Sequence, residues 1–464
     1  MDAPVATDFD CLFFLGIGGI GMSALAHYFH EQGMELGGYD RDQNPQTERL
    51  KNLGISISHE DDPQSLDASY RDSQRCMIVY TPAISSQSLL RQYFEKRGFV
   101  MRKRAVVLAS LANQHFLIAV AGAHGKTTTS VCLAHLLVAG GKAVRAFLGG
   151  VSVNYQRNYI SQGDAEDATW IVEADEYDRS FHHLRPQVAI LTSTDADHLD
   201  VYGSQASVQK AYETFVQGIQ SGGCLIRHES TQLKPDTLRS VEVEVYGQKQ
   251  GSWTVEPGPA GVSGARFSLH NAAQSWEAWM PVPGMHNLLN ATAALMAARH
   301  AGQSTEQSVM ALAHFRGIRR RFELRFRDAD WVYIDDYAHH PRELHATIGA
   351  VRELLPGWTI TGVFQPHLFS RTRDFAADFG QALSALDHLV LLPIYPAREA
   401  PIPGVHSSLI VEHITRSIPV YNLAMEEVLP WLKTRAKKGA LLTLGAGSID
   451  QLADPIHQYL LSAS

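Results

Sequence analysis

A lysine and a run of threonines behind two glycines are the most chemically suggestive residues in this chain: Gly122-Ala123-His124-Gly125-Lys126-Thr127-Thr128. They lie between an apolar run at 116–120, which predicts a buried strand, and a helical pattern at 127–138. In such a turn, free backbone N–H groups and the positive end of a helix face an anion. Lys126 brings a mobile cation to the β- and γ-phosphates of a nucleoside triphosphate, and the Thr127 hydroxyl is placed to ligate Mg²⁺. The gap between the glycines, Ala123 and His124 alone, is shorter than in the common phosphate loop.

A second glycine turn follows an apolar strand at 11–15. Gly16, Gly18 and Gly21 satisfy the G-x-G-x-x-G spacing, Gly19 and Ile20 complete the turn, and a helix is expected over 22–30. Asp40 ends the next strand about 20 residues on, where a ribose hydroxyl would be met. Alone, the turn is compatible with a dinucleotide, with another diphosphate such as a UDP-sugar, or with a structural role. A chain with two phosphate cradles is better suited to joining two substrates than to moving a hydride.

Two further groups close strands. Glu173, Asp175, Glu176 and Asp178 follow an apolar run from 169, and Asp197-His198-Leu199-Asp200 follows another from 188. Hard oxygen ligands plus one imidazole suit Mg²⁺ bound with a triphosphate. Later, Arg319-Arg320-Arg321 precedes Asp335-Asp336-Tyr337-Ala338-His339-His340-Pro341, and His367 and Arg371 follow a strand at 360–365. Arginine suits two-pronged binding of carboxylate or phosphate.

These residues need a scaffold that brings strand ends together. The 464 residues are 45% hydrophobic and 19% charged, enough for two or three domains with their own cores. Apolar strands alternate with helical patterns, the signature of an α/β fold with parallel sheets. The alternation restarts three times, predicting domains at 1–112, 113–314 and 315–464. A net charge of −8 provides no basic field for nucleic acid. Four dispersed cysteines read as reduced core residues, and no apolar stretch reaches the roughly 20 residues of a membrane span. A soluble cytoplasmic protein is expected, as monomer or homodimer.

Together these motifs, with Gly284-Met285-His286-Asn287-Leu288-Leu289-Asn290 and the segment from Phe364 to Asp374, resemble the Mur ligases of peptidoglycan synthesis. The resemblance spans nearly the whole chain. It implies a Rossmann-like domain for a UDP-sugar, a central P-loop ATPase-type mixed α/β domain, and a carboxy-terminal Rossmann-like domain that delivers an amino acid. It also implies ATP-dependent ligation of L-alanine to the carboxylate of UDP-N-acetylmuramate through an acyl phosphate. By that resemblance Lys126 and Thr127 hold phosphate and Mg²⁺, Glu173 and His198 serve metal ions, and Arg321 approaches the transferring phosphoryl group. His286 and Asn290 are assigned to adenine, Asp336 to the ATP ribose, and Tyr337, His339, His367 and Arg371 to the L-alanine pocket. The chain departs from the family pattern at Ala123, Tyr177, Ser193 and Leu368, the last standing where a second arginine is often found. No lysine between Lys142 and Lys210 offers itself for carbamylation. A ligase that recycles a whole tripeptide onto the same sugar nucleotide and, on the first glycine turn alone, an NAD-dependent oxidoreductase are the alternatives.

Overall fold

The computed structural model describes residues 6–176, 179–195, 202, 204–238, 241–397, 399–435 and 438–463. Among these residues the strands form three sheets. The first contains β1 (Cys11–Leu15), β2 (Glu35–Tyr39), β3 (Ser56–Ser58), β4 (Cys76–Tyr80) and β5 (Met101–Lys103), all parallel, in the order β3-β2-β1-β4-β5. The order reverses direction beside β1. Such a switch point opens a crevice at the carboxyl ends of the strands, and the first glycine turn leaves β1 there.

The second sheet comprises β6 (Leu117–Ala121), β7 (Val144–Phe147), β8 (Tyr159–Gln162), β9 (Thr169–Glu173), β10 (Val188–Leu191), β11 (Cys224–His228), β12 (Glu242–Gly247), β13 (Trp253–Gly261), β14 (Gly264–Asn271) and β15 (Ser275–Met280). Its order is β15-β14-β13-β12-β11-β10-β6-β9-β7-β8, with β8 antiparallel at one edge. Central β6 is buried on both faces, which explains its unbroken apolar sequence Leu-Ile-Ala-Val-Ala.

The third sheet holds β16 (Glu323–Arg327), β17 (Trp331–Asp336), β18 (Ile360–Phe364), β19 (His388–Leu391), β20 (Val420–Asn422) and β21 (Gly439–Leu444), ordered β16-β17-β21-β18-β19-β20. Among its described residues, only β16 runs antiparallel to its neighbour. The α/β architecture with parallel-rich sheets is as the sequence predicts.

By internal contacts the chain divides into two compact units. One takes in 6–257, 267–280 and 285–315; the other takes in 258–266, 281–284 and 316–463. The first sheet and the second, apart from the ends of β13 and β14 within 258–266, therefore belong to one body, and its core shows why. Helix α1 (Ile20–Glu31), which follows the first glycine turn, buries Met22, Leu25 and Phe29, and its Tyr28 ring sits 5.8 Å from Phe147 and 5.4 Å from Trp170 of the second sheet. Aromatic pairs of this kind add about 0.5–1.5 kcal/mol beyond the area they bury. The same cluster runs from Leu12 and Phe14 through to Leu191 and Leu225. No helix among the described residues is long and apolar enough to cross a membrane.

Candidate active site

The triphosphate turn joins β6 to helix α2 (Lys126–Ala139). Gly122 and Gly125 both take positive φ, 131° and 80°. A Cβ at Gly122 would lie 2.1 Å from Thr192 Oγ1, and one at Gly125 would lie 2.4 Å from Asn290 Oδ1, so only glycine fits either place. Thr192 hydrogen-bonds the carbonyls of Ala121 and His124, and the His124 N–H donates to Ser193 Oγ at 3.1 Å. These bonds shape a loop open toward the first turn of α2, which has no side-chain cap. Such a turn leaves backbone donors for an anion.

Lys126 Nζ donates to Gly122 O at 2.7 Å and to Glu176 Oε1 at 2.8 Å. Glu176 is 1% exposed, and burial pushes its carboxyl up against the opposing pull of Lys126. Thr127 Oγ1 donates to Glu173 Oε1 at 2.9 Å, and the other oxygen, Oε2, accepts from Gly149 N–H at 2.9 Å. A hydroxyl oxygen and a carboxylate are thus held side by side at the mouth of the loop, a hard donor pair of the sort Mg²⁺ takes. Asn290 packs on the loop itself and His286 lies one turn earlier, exposed, on the same helix, α3 (Met285–His300). His198, with the rest of 196–201, and Tyr177 with Asp178 lie outside the described residues.

The first glycine turn is equally constrained. Gly16 has φ 86° with Thr81 Cγ2 2.6 Å from where a Cβ would stand. The Gly18 N–H donates to Asp40 Oδ2 at 2.8 Å, and a Cβ there would meet Asn44 and Thr47 at 2.7 Å. Gly21 lies under the Arg104 guanidinium, about 3.0 Å from a would-be Cβ. Gly19 is less tight, since a Cβ there would make ordinary contacts with Gly16 O at 3.5 Å and Met22 at 3.8 Å.

In the second unit Asp336 closes β17. Its carboxylate accepts from the N–H groups of Phe322 and Ala338, each at 2.7 Å, and burial pushes its pKa up to about 6. Exposed Arg321 is flanked by two non-glycine residues of positive φ, Arg320 at 60° and Phe322 at 48°. Arg320 is committed elsewhere, to buried Asp335 at 3.5 Å and across the Tyr337 ring at 5.3 Å. The ring of half-exposed Tyr337 lies 5.1 Å from His339, His339 lies 5.8 Å from His367, and His367 stacks on Tyr395. His367 Nδ1 and Arg371 Nη1 are buried without a hydrogen-bond partner among the described residues. Buried polar atoms of that kind are uncommon unless a ligand or water meets them. Burial, then the neighbouring His339 and Arg371, depress His367 to about 4, and burial lowers His339 too. Both imidazoles are therefore neutral at pH 7, and Arg371 supplies the pocket's positive charge.

Apart from Arg321, which precedes the amino end of β16, the candidates among the described residues stand at the carboxyl end of a strand or on a helix that follows one, where sheets of this type hold ligands. Sequence reasoning missed three roles. Glu176 pairs with the loop lysine, Gly149 holds Glu173, and Arg104 covers Gly21 while lining the same cleft as Glu173 and Asp175. Arg104 left a sequence signal, as a cation just beyond a strand, whereas Gly149 left none. One further His/Cys/carboxylate cluster among the described residues, Cys224, Glu244 and His300, is an ion-pair cluster, since exposed Arg299 donates to both oxygens of buried Glu244 at 2.7 Å.

Three domain families match along the chain: the catalytic domain of the Mur ligase family over 12–116, the Mur ligase middle domain over 120–298, and the Mur ligase glutamate ligase domain over 320–447. The chain belongs to the Mur ligase family. Curated relatives include the UDP-N-acetylmuramate–L-alanine ligase of Porphyromonas gingivalis, 41% identical with 97% of this chain and 98% of that protein covered. The enzyme of the same name from Phocaeicola vulgatus is 39% identical, with 96% and 97% covered. Among solved structures, the UDP-N-acetylmuramate-alanine ligase of Thermotoga maritima superposes with a TM-score of 0.81 at 24% identity over 98% of this chain and all of that one. A murein peptide ligase from Psychrobacter arcticus gives 0.67 at 24%, with 97% and 98% covered.

Proposed function

We propose that this enzyme ligates L-alanine to the lactyl carboxylate of UDP-N-acetylmuramate with cleavage of ATP, in peptidoglycan synthesis. The observation that carries the reading is end-to-end likeness to relatives bearing that name, at 41% identity for the Porphyromonas gingivalis enzyme. A carboxylate is a poor acyl donor at neutral pH. One of its oxygens attacks the γ-phosphorus, the bond to the β-phosphate oxygen breaks, and ADP leaves an acyl phosphate. The alanine amine, having shed a proton, attacks the acyl carbon, and the tetrahedral intermediate expels inorganic phosphate as the amide forms.

In this reading the 122–127 turn cradles the triphosphate, with Lys126 turning from Glu176 to the β- and γ-oxygens. Charge that spreads over phosphoryl oxygens is what such fixed cations stabilise. Thr127 and Glu173 would hold Mg²⁺, which when bound neutralises phosphate charge, and the family resemblance assigns His198 to the metal ions as well. Asn290 and His286 line the nucleotide side, while Arg321 and Asp336 are the second unit's candidate contacts to ATP. The turn from Gly16 to Gly21, with Asp40, takes the UDP moiety. Arg371 binds the alanine carboxylate, and neutral His339 and His367 beside Tyr337 receive the substrate's amino end without adding a second positive charge. The test is phosphate release with UDP-N-acetylmuramate and each common amino acid. Release that depends on both the sugar nucleotide and L-alanine is expected; release with a tripeptide but not alanine would overturn the assignment.

A further inference from the structure

The two phosphate cradles are joined by one continuous stretch of chain, residues 148–158, whose two ends do different jobs. At its start, Gly149 N–H holds Glu173 Oε2 at 2.9 Å, and Glu173 in turn holds Thr127 of the triphosphate cradle. A Cβ at Gly149 would lie 2.3 Å from that carboxylate oxygen, so the contact requires glycine. At its far end the Asn158 amide, 1% exposed, donates to Ile20 O at 2.5 Å and Ser23 Oγ at 2.9 Å. Those atoms form the first turn of α1, the helix that carries the diphosphate cradle on its amino end.

The stretch between is internally braced. Leu148 N–H bonds Asn158 O at 3.0 Å, Ser152 N–H bonds Arg157 O at 2.9 Å, and Gln156 N–H returns to Ser152 O at 2.8 Å. Tyr155 is tied to His135 at 3.1 Å and Asn154 to His314 O at 2.8 Å. A shift of Glu173 therefore cannot be absorbed by slack in the loop. It must be passed to Asn158 and the α1 turn, or break one of these bonds.

We propose that residues 148–158 couple the two cradles, with Gly149 and Asn158 as positioning residues, so that a nucleotide in one tightens binding in the other. The proposal rests on the reading of 16–21 as the UDP site and 122–127 as the ATP site. A ligand that shifts Glu173 in one cradle moves the braced stretch as a unit and so sets the α1 turn of the other, and the second ligand then meets its cradle already positioned, which is positive coupling without direct contact between ligands. A merely structural Asn158 would lower stability and leave the two affinities independent.

Calorimetric titration of the full chain with UDP, with and without saturating ADP, separates the cases, because neither probe carries a reacting group. In the unsubstituted protein ADP should lower the Kd for UDP at least about fivefold, and UDP should lower that for ADP by the same factor. In Asn158→Ala that factor should fall below about twofold while both ligands still bind. Gly149→Ala applies the same test from the other end should Asn158→Ala fail to fold, as thermal unfolding would reveal. Independent affinities in the unsubstituted protein, or a factor preserved in either folded variant, would overturn the coupling. Failure of UDP or ADP to bind the unsubstituted protein at all would overturn the reading of the cradles and the coupling with it.

Discussion

Lys126 serves both a buried carboxylate and a phosphate, and removing it should separate the two roles. Its side chain is 13% exposed, that of Glu176 is 2% exposed, and they meet at 2.8 Å. Lys126→Ala strands a buried carboxylate, a loss worth about 3–5 kcal/mol when the charge cannot be neutralised. Glu176 can escape part of this by taking up a proton. Burial already holds its folded-state pKa above the ordinary carboxylate value, and without Lys126 it must rise further. A carboxyl that keeps its proton longer in the folded state than in the unfolded one costs stability as pH climbs between the two values. Denaturant midpoints of Lys126→Ala should therefore fall from pH 5 toward pH 8 more steeply than those of the parent. Adding Glu176→Gln should restore the midpoint and flatten its pH dependence. Catalysis should not return: loss of a fixed cation on the phosphoryl group costs roughly 3–4 kcal/mol, at least about 100-fold in kcat, in both the single and the double variant. Near-normal phosphate release from folded Lys126→Ala would refute the phosphate role. Equal pH dependence in parent and variant would refute the pairing.

Other expectations follow from the remaining sites. Gly18→Val, whose side chain collides with Asn44, Thr47 and Asp40, should raise KM for the UDP-sugar and leave ATP affinity nearly intact; tight nicotinamide binding at that turn would refute the diphosphate assignment. Arg371→Ala should lower kcat/KM for L-alanine at least about 30-fold, since unpairing a substrate charge in a desolvated pocket costs roughly 2–5 kcal/mol; equal losses in ATP and UDP-sugar affinity would place Arg371 elsewhere. Burial raises Asp335 from 3.8 to about 6, so it costs stability as pH rises through that window. Asp335→Asn should flatten the dependence of the unfolding midpoint between pH 4 and 6, and an unchanged slope would show that Asp335 ionises normally.

What the sequence made legible was local grammar. Gly122, Gly125 and Gly16 occupy positive φ, and strand, turn and helix follow one another within a few residues, so both cradles could be read from neighbours alone. Partners distant along the chain could not. Nothing near Lys126 announces Glu176, and nothing near Glu173 announces Gly149, because both pairings depend on β6, β7 and β9 lying side by side. The strand in the apolar run from 188 stops at Leu191, where the Thr192 hydroxyl turns back to the carbonyls of Ala121 and His124. The antiparallel edges β8 and β16 were hidden for a related reason: a short edge strand owes its direction to the neighbour it meets. Leu368, noted as a departure in type, also proves unusual in backbone, with φ 71° and its N–H fixed to Tyr395 O at 2.9 Å just before the helix Phe369–Asp374 that carries Arg371.

All four cysteines are buried and free. Burial raises the thiols of Cys132 and Cys224, the latter to about 12, and a thiol that stays protonated in the interior does not attack an electrophile. The Cys11 thiol is instead lowered by its hydrogen bond with Cys76, but both of these side chains are 0% exposed, so burial shields all four from a maleimide in solvent. Met310, 65% exposed in the first unit, and Leu461, 50% exposed in the second, are natural places for a pair of introduced cysteines. A donor and an acceptor dye on those two positions would turn the enzyme into its own molecular ruler, with energy transfer tracking the separation of the units as each substrate is added.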